Sequence, residues 1–329
     1  MSQNKIKLLS VVVPLYNEAA GIERFFDLLT GELKKLKLAY ELILVDDGSA
    51  DQTPIRLKEL DAKHSQIRII QLTRNFGKEA ALSAGLHNVK GDTVLTMDSD
   101  GQHPPKFINQ LVNAYSEGYE MVVGVRTDNA DERLTKKIGN ALYYRLLKIV
   151  GVTYIQPRVT DFRMMSREAV DTFNVLTERR RIARGLLDWM GYKTKYLEFQ
   201  SPERLAGTAT YSTKKLIQLA VDSILSSSRK PLSLSVLLGT LITSLSLLST
   251  LFVIFEKYVF GDPYNLNISG TAILGLLILF MVGLILITQG ISALYLARIY
   301  EETQQRPLYI IRRSSSELSD KAGPGEVID

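Results

Sequence analysis

The stretch Val94-Leu95-Thr96-Met97-Asp98-Ser99-Asp100-Gly101-Gln102 places two carboxylates directly after an apolar run. A short apolar run that ends in a turn is typical of a buried strand reaching the surface. Carboxylate and amide oxygens suit a hard cation such as Mg²⁺ or Mn²⁺, which keeps coordination positions for substrate phosphates. The pattern makes Asp98, Asp100 and Gln102 candidate metal ligands. A solvated acidic turn is the alternative, because Asp and Gly are ordinary turn residues.

Strands and helices alternate around this motif. Apolar runs predict strands at residues 8–14, 41–45, 67–72, 93–97 and 121–125, with helical spacing between them. This βαβ rhythm predicts an α/β domain with a mainly parallel, Rossmann-like sheet and helices on both faces. Ligands of such sheets bind at the carboxyl ends of the strands. Residues 14–18, 46–49 and 98–102 follow three of the predicted strands, and we expect them to converge on one site.

The composition excludes several classes of site. The chain of 329 residues contains no cysteine, so it has neither disulfides nor thiolate sites, and three histidines argue against a His-rich zinc centre. No Gly-x-Gly-x-x-Gly follows the first strand and no P-loop motif occurs. The net charge of +5 fits anionic partners such as phosphates or lipid headgroups. A nucleic-acid partner is not expected, because the cations are not interleaved with aromatic residues in one tract.

Two long uncharged runs, at residues 232–255 and 272–297, predict two transmembrane helices. Lysines and arginines precede the first run and follow the second, which predicts cytoplasmic ends and a short periplasmic loop at residues 256–270. Residues 213–228 carry an apolar stripe flanked by cations, which is typical of an amphipathic helix on the inner leaflet. A helix packed on the soluble domain is the alternative interpretation.

These patterns divide the chain into four parts. We expect a cytoplasmic catalytic domain at 1–212, an amphipathic juxtamembrane helix at 213–230, two transmembrane helices at 231–298, and a partly disordered cytoplasmic tail at 299–329. The expected location is therefore the inner (plasma) membrane, with a multi-pass anchor. Glycines in the second apolar run would allow close helix packing, so a homo-oligomer stays open.

Five ordered motifs carry a resemblance to a known family: VVPLYNE (12–18), VDDGS (45–49), TRNFGK (73–78), MDSDGQ (97–102) and TDFR (160–163). They resemble the family 2 glycosyltransferases with a GT-A fold. Within that family the chain resembles the dolichyl-phosphate mannose synthase group, and it is most similar to bacterial two-span undecaprenyl-phosphate glucosyltransferases of the GtrB type. The motifs are specific for family and fold, and much less specific for the sugar.

The resemblance implies roles for residues of the donor site. The residues expected to bind the nucleotide sugar are Pro14, Tyr16, Glu18, Asp46, Asp47, Lys78, Ser99 and Arg163. Asp98, Asp100 and Gln102 would hold Mg²⁺ or Mn²⁺ on the diphosphate.

Asp161 is the catalytic carboxylate that the resemblance implies, as a general base. A phosphate monoester is already mostly ionised at neutral pH, since its second pKa is near 6. Asp161 could therefore instead orient the acceptor or stabilise charge at the sugar carbon. An ordinary ion pair with Arg158 or Arg163 is the structural alternative.

An anionic acceptor requires cations, and we expect Arg126, Lys136, Lys137 and Arg204 to bind its phosphate. The segment after Arg204 departs from the family pattern, because Ala209 stands where the family has Ser. For Lys136 and Lys137 a solvated helix face or a lipid headgroup contact is an equal alternative.

The resemblance implies inverting, metal-dependent transfer of a sugar from a nucleotide sugar to a membrane polyprenyl phosphate. UDP-glucose and undecaprenyl phosphate are the expected substrates, with GDP-mannose or a UDP-aminopentose as alternative donors. A processive polysaccharide synthase is a second class, but its Gln-x-x-Arg-Trp motif is absent, since the only tryptophan is Trp189. A non-enzymatic membrane scaffold is a third class, which the intact Asp98, Asp100 and Asp161 disfavour.

Overall fold

A computed structural model describes residues 4–127, 158–178, 181–202 and 270–312, together with positions 241, 244 and 248. Seven strands lie in the described part of the chain: β1 (Leu8–Leu15), β2 (Ala39–Asp46), β3 (Ile67–Gln71), β4 (Thr93–Thr96), β5 (Met121–Arg126), β6 (Val159–Ser166) and β7 (Thr194–Phe199). The helices of the same residues are α1 (Ile22–Lys35), α2 (Thr53–Lys63), α3 (Lys78–His87), α4 (Ile108–Ser116), α5 (Arg167–Val175), α6 (Ala183–Trp189) and α7 (Gly270–Thr303).

The strands form one mixed sheet in the order β3-β2-β1-β4-β6-β5-β7. The predicted mainly parallel α/β sheet is confirmed, because β1 pairs in parallel with β2 and β4, and β5 pairs in parallel with β7. The five predicted strands match β1 to β5 within two residues at each end. The predicted helical spacing between the first two strands corresponds to α1.

Both faces of the sheet are covered, which explains the continuous apolar runs of the central strands. Val11 and Val13 of β1 pack with α1 and α4 on one face, while Val12 packs with α3 on the other. α3 lies so close to the sheet that a Cβ at Gly85 would be 2.2 Å from a methyl group of Val12. The sheet is therefore a rigid base from which the loops at the strand ends project.

The orientation of β6 decides the position of the site. β6 runs antiparallel to both of its neighbours, β4 and β5, with Thr96 opposite Arg163. Its beginning consequently lies at the edge of the sheet where β4 ends. The Thr96 hydroxyl donates a hydrogen bond of 2.6 Å to the carbonyl oxygen of Asp161. This arrangement brings Asp161 beside the Asp98–Gln102 turn.

The chain divides into two compact units. Residues 4–127, 158–178, 181–202 and 306–312 belong to one unit, and α7 belongs to the other. The second predicted transmembrane run falls within α7, whereas the first run and the predicted helix at 213–228 fall almost entirely outside the described residues. In the part of the chain that is described, no helix meets the combined length and hydropathy required to cross a membrane. The two-span architecture stays a prediction.

Candidate active site

Three loops at the carboxyl ends of β1, β2 and β4 meet, as their positions in the sequence predict. The Asn17 N–H donates to the Ser49 hydroxyl at 2.9 Å, and the Asn17 amide oxygen accepts from the Ala50 N–H at 2.9 Å. The buried Ser99 hydroxyl lies 3.5 Å from the carbonyl oxygen of Pro14. These bonds tie the motifs at residues 14–18, 46–49 and 98–102 into one site.

Lys78 connects the metal motif to the predicted catalytic carboxylate. Its Nζ lies 2.6 Å from Asp98 Oδ1 and 2.6 Å from Asp161 Oδ2. The Lys78 side chain is 39% exposed, so it remains accessible to a ligand. Burial alone would lower the pKa of Lys78, but the two carboxylates raise it above its ordinary value. A permanently charged ammonium therefore lies between Asp98 and Asp161.

Asp161 is buried and ionised. Burial alone would raise the pKa of Asp161, but Lys78 and Arg184 hold it well below the ordinary value for an aspartate. The Arg184 guanidinium lies 3.7 Å from Asp161 Oδ2, and its side chain is 43% exposed. A carboxylate with so low a pKa is a weak base, since its affinity for a proton is small. It remains effective in orienting cations and in stabilising positive charge.

The two aspartates after β2 have different surroundings. Both oxygens of Asp47 accept hydrogen bonds, at 2.8 Å from the Phe76 N–H and at 2.9 Å from the Gly77 N–H. Asp46 accepts the Ser49 N–H at 3.0 Å through Oδ1, and within the described residues its buried Oδ2 has no hydrogen-bond partner. An unpaired buried oxygen is costly, so Asp46 is the better candidate for a ligand N–H or hydroxyl group.

The other predicted donor residues lie around this pocket. Pro14 is buried in β1, and Tyr16 is 46% exposed just beyond the end of that strand. The Glu18 N–H donates to the Thr53 hydroxyl at 2.9 Å, which joins the β1 loop to the start of α2. The Tyr16 side chain is therefore accessible to a ligand, whereas Pro14 is enclosed in the sheet.

Asp98 and Gln102, two of the three predicted metal ligands, contact cations of the protein. Asp98 contacts Lys78, and the Gln102 amide oxygen accepts a hydrogen bond of 3.1 Å from Arg126. Asp100 Oδ1 accepts the Gln102 N–H at 3.0 Å, which closes the turn. Among the described residues, no group of three His, Asp or Glu side chains is arranged to hold a metal ion. The donor set of two carboxylates and an amide fits a hard cation that also takes phosphate oxygens.

The position of Arg163 corrects one prediction. Its side chain is only 1% exposed, and its Nη1 lies 2.7 Å from the Asp188 carboxylate, which is 3% exposed. Arg163 therefore forms a buried ion pair beneath the site and is closed off from a donor phosphate. The ion pairs of Asp161 in the described residues are with Lys78 and Arg184, while the Arg163 charge helps to lower the pKa of Asp161 from a greater distance. The alternative pairing with Arg158 stays a prediction.

We expect the Arg163–Asp188 pair to be important for stability. Asp188→Asn should lower the free energy of unfolding by about 3–5 kcal/mol, because the substitution leaves the Arg163 charge buried without a counter-charge. The matched control is Asp171→Asn, which breaks the exposed pair between Arg167 and Asp171 at 2.8 Å and should cost less than about 1 kcal/mol. Denaturant unfolding measures both changes, and equal losses would show that burial adds nothing to the pair.

Three residues of the site were not identified as site residues from the sequence. Arg184 lies on the short helix α6, remote in sequence from every motif. Glu79 Oε2 accepts the Ala183 N–H at 2.8 Å, and burial raises the pKa of Glu79 to about 7. The buried His103 accepts the Asp98 N–H at 2.9 Å through Nδ1 and stacks on Phe162 at 5.0 Å. Contacts between distant parts of the chain join Arg184 to Asp161 and Glu79 to Ala183, whereas His103 bonds to Asp98, only five residues earlier.

The remaining predicted acceptor cations divide between described and undescribed residues. Arg126 ends β5 and contacts Gln102, so it lies beside the metal motif. Lys136, Lys137 and Arg204 lie outside the described residues, and their predicted contact with the acceptor phosphate stays a prediction.

Comparison with known proteins identifies the family of the chain. Residues 10–173, which contain all five motifs, match the model of the glycosyl transferase family 2. A relative from Synechocystis sp., described as an uncharacterised glycosyltransferase, is 38% identical over 92% of this chain and 94% of its own length. The chain belongs to glycosyl transferase family 2. It is a glycosyltransferase, and its mainly parallel sheet with flanking helices is the GT-A-like fold.

Two further relatives of this glycosyltransferase carry more specific names. A prophage-derived bactoprenol glucosyl transferase of Shigella flexneri is 35% identical over 93% of this chain and 98% of its own length. A prophage bactoprenol glucosyl transferase homologue of Escherichia coli K12 is 33% identical, with the same coverage. Among solved structures, glucosyl-3-phosphoglycerate synthase of Mycobacterium tuberculosis has a TM-score of 0.48 and 25% identity, over 67% of this chain and 76% of its own.

Proposed function

We propose that this glycosyltransferase moves a glucosyl group from UDP-glucose to a polyprenyl phosphate, of which undecaprenyl phosphate is the expected case, with inversion at the sugar carbon. The observation that carries the proposal is the Lys78 ammonium, 2.6 Å from both Asp98 and Asp161. It joins the motif expected to hold the donor diphosphate to the carboxylate expected to face the acceptor. The names of the relatives from Shigella and Escherichia coli support glucose and a polyprenyl acceptor.

The proposed reaction is a single displacement. An oxygen of the acceptor phosphate forms a bond to the anomeric carbon of glucose, and the bond from that carbon to the diphosphate oxygen breaks. UDP leaves with the electron pair of that bond. The acceptor phosphate is mostly dianionic at neutral pH, so it requires no proton acceptor. Asp161, with its low pKa, stabilises positive charge that develops on the sugar.

The donor would be held by groups from three strands. The unpaired Oδ2 of Asp46 would accept an N–H of the base or a ribose hydroxyl, and Tyr16 would lie against the base. Asp98, Asp100 and Gln102 would hold Mg²⁺ or Mn²⁺. When bound, the metal would neutralise charge on the leaving diphosphate. Lys78 would exchange one of its carboxylate contacts for a phosphate oxygen.

The proposed acceptor determines the expected cellular location of the protein. A polyprenyl phosphate resides in a membrane, so we propose an inner-membrane protein with two spans and a catalytic domain facing the cytoplasmic pool of nucleotide sugars. The sequence contains no cysteine, so a single cysteine at Ser316 would be a unique label. A membrane-impermeant thiol reagent should reach it only after permeabilisation, and labelling of intact cells would refute this orientation.

Acceptor dependence tests the proposed class of reaction. Full-length protein in detergent should release UDP from UDP-glucose at least about tenfold faster with undecaprenyl phosphate than without it, because the acceptor is the nucleophile. Each lipid should gain one hexose. A series of products with several hexoses would instead indicate a processive synthase. A rate of UDP release that is the same with and without undecaprenyl phosphate would refute a polyprenyl phosphate substrate.

A further inference from the structure

A short segment after α7 extends the sheet at its outer edge. Ile311 forms an antiparallel bridge with Leu72, at the end of β3. The Thr73 N–H donates to the Ile310 carbonyl at 2.9 Å, and the Arg312 N–H donates to the Gln71 carbonyl at 2.7 Å. We call residues 309–312 the terminal segment. It pairs with the last residue of the edge strand β3 and with the two residues that follow it.

Side chains add to this attachment. Tyr309 packs against the apolar cluster beneath α3, with its ring 6.1 Å from the ring of His87. The Arg312 guanidinium lies 3.4 Å from the carbonyl oxygen of Thr73. The terminal segment thus contacts the end of β3 through its backbone and α3 through Tyr309.

The residues that bond to the terminal segment, Gln71 and Thr73, are followed in the chain by residues of the active site. Residues 73–77 form the loop between β3 and α3, and Lys78 is the first residue of α3. On its other side the loop is fixed by the Asp47 carboxylate, which accepts the N–H groups of Phe76 and Gly77. The fit there is tight, because a Cβ at Gly48 would lie 2.3 Å from the carbonyl carbon of Arg74. The loop is therefore held between the β2 turn and the terminal segment.

We propose that the terminal segment is a positioning element of the active site, which orders the 73–77 loop and so supports binding of the nucleotide-sugar donor. The proposal rests on the proposed function for the identity of that donor. Without the terminal segment the loop keeps its Asp47 bonds but loses the restraint at Thr73. Lys78 and Asp47 then occupy a wider range of positions, and a donor must pay the cost of ordering them.

The geometry of the bridge supplies a matched pair of variants. Arg312→Pro removes the N–H that bonds to Gln71. Ile311→Pro introduces the same ring one residue earlier, where the N–H points away from β3, because Leu72 and Ile311 face each other between the two bonds. Arg312→Ala keeps the N–H and removes only the guanidinium. Comparison of the three variants separates the effect of losing the Arg312 N–H bond from the effect of a proline ring and from the effect of losing the Arg312 guanidinium.

Two measurements on the full-length protein decide the proposal. In the ligand-free protein, amide hydrogen exchange of the peptide covering residues 72–78 should be about tenfold faster in Arg312→Pro than in wild type, and within about twofold of wild type in Ile311→Pro. Calorimetric titration with UDP-glucose should give a dissociation constant about tenfold higher than that of wild type in Arg312→Pro only. A change of this size is consistent with the loss of about one backbone hydrogen bond.

Several results of these two measurements would overturn the proposal. Unchanged loop exchange in Arg312→Pro would overturn the proposal, as would faster exchange with unchanged donor affinity. Equal effects of the two proline variants would also overturn it, because they would show general disruption of the segment. If wild type binds no UDP-glucose, the proposed donor fails, and the same titration with UDP then supplies the affinity comparison.

Discussion

Asp161→Asn is expected to lower turnover by about 10²–10⁴-fold while leaving the affinity for the donor nearly unchanged. The substitution preserves shape and removes a charge that lies 2.6 Å from Lys78 and 3.7 Å from Arg184. Donor affinity should be retained because Lys78 still contacts Asp98, and the substitution does not alter the β2 turn, which we propose binds the base or ribose. Steady-state kinetics with UDP-glucose and undecaprenyl phosphate, together with calorimetric donor binding, measure the two quantities separately.

The pH profile of Asp161→Asn distinguishes the two roles of this carboxylate. If Asp161 were a general base, the residual activity of the variant should rise with pH as the acceptor phosphate loses its second proton. If it stabilises charge on the sugar, the deficit should stay constant above about pH 7, where the acceptor is already mostly dianionic. We expect the constant deficit, since its cation neighbours hold the pKa of Asp161 well below its ordinary value.

Asp171→Asn is the control for a lost surface carboxylate, because Asp171 pairs with Arg167 on an exposed face. It should retain wild-type turnover. Wild-type turnover in Asp161→Asn as well would refute both catalytic roles and would leave Asp161 as a buried partner of Lys78.

Asp98→Asn and Asp100→Asn are each expected to lower transfer by about 10²-fold or more. Each removes a negative charge from the group of oxygens expected to hold the cation on the diphosphate. Asp98→Asn also removes one of the two carboxylates bound to Lys78, whereas Asp100 lies on the other side of the turn, bonded to the Gln102 N–H. Initial rates of UDP release, measured over a range of Mn²⁺ and Mg²⁺ concentrations, give both the activity and the apparent metal affinity.

The metal itself is tested by chelation. Excess EDTA should stop the wild-type enzyme, and added Mg²⁺ or Mn²⁺ should restore it. The two aspartate variants should require a higher metal concentration for their residual activity, and direct Mn²⁺ binding in the presence of UDP should weaken in parallel. Full wild-type activity in excess EDTA would refute the metal role of Asp98 and Asp100.

Much of the fold could be predicted because it depends on local patterns. The runs at β1 and β4 are apolar on both faces, and only a sheet covered by helices on both sides satisfies such runs. Ligand loops at the carboxyl ends of parallel strands follow from that topology. The convergence of the loops that contain Asn17, Ser49 and Ser99 could therefore be predicted from the sequence.

The antiparallel strand β6 could not be predicted in the same way. Its residues include the buried Arg163 and the hydrophilic Thr160 and Asp161, so they do not show the alternation that indicates a strand. Its orientation depends on pairing with β4, far away in the sequence. That pairing places Asp161 at the site.

The contacts of the charged side chains also could not be predicted from the sequence. Arg163 stands two residues after Asp161, and a motif alone cannot show that it turns inward to Asp188. Lys78 was expected at the donor phosphate, and its contact with both Asp98 and Asp161 becomes visible only in three dimensions. The same holds for Arg184 and for the bridge between Leu72 and Ile311, which join distant parts of the chain.

The mass of the lipid product tests the central claim most directly. Full-length enzyme is incubated with undecaprenyl phosphate and, separately, with UDP-glucose, GDP-mannose and a UDP-aminopentose, and the extracted lipid is analysed by mass spectrometry. The account predicts that UDP-glucose gives undecaprenyl phosphate enlarged by one hexosyl residue, and that Asp161→Asn gives almost none. No enlarged lipid with UDP-glucose, or a product formed only from another donor, would contradict it.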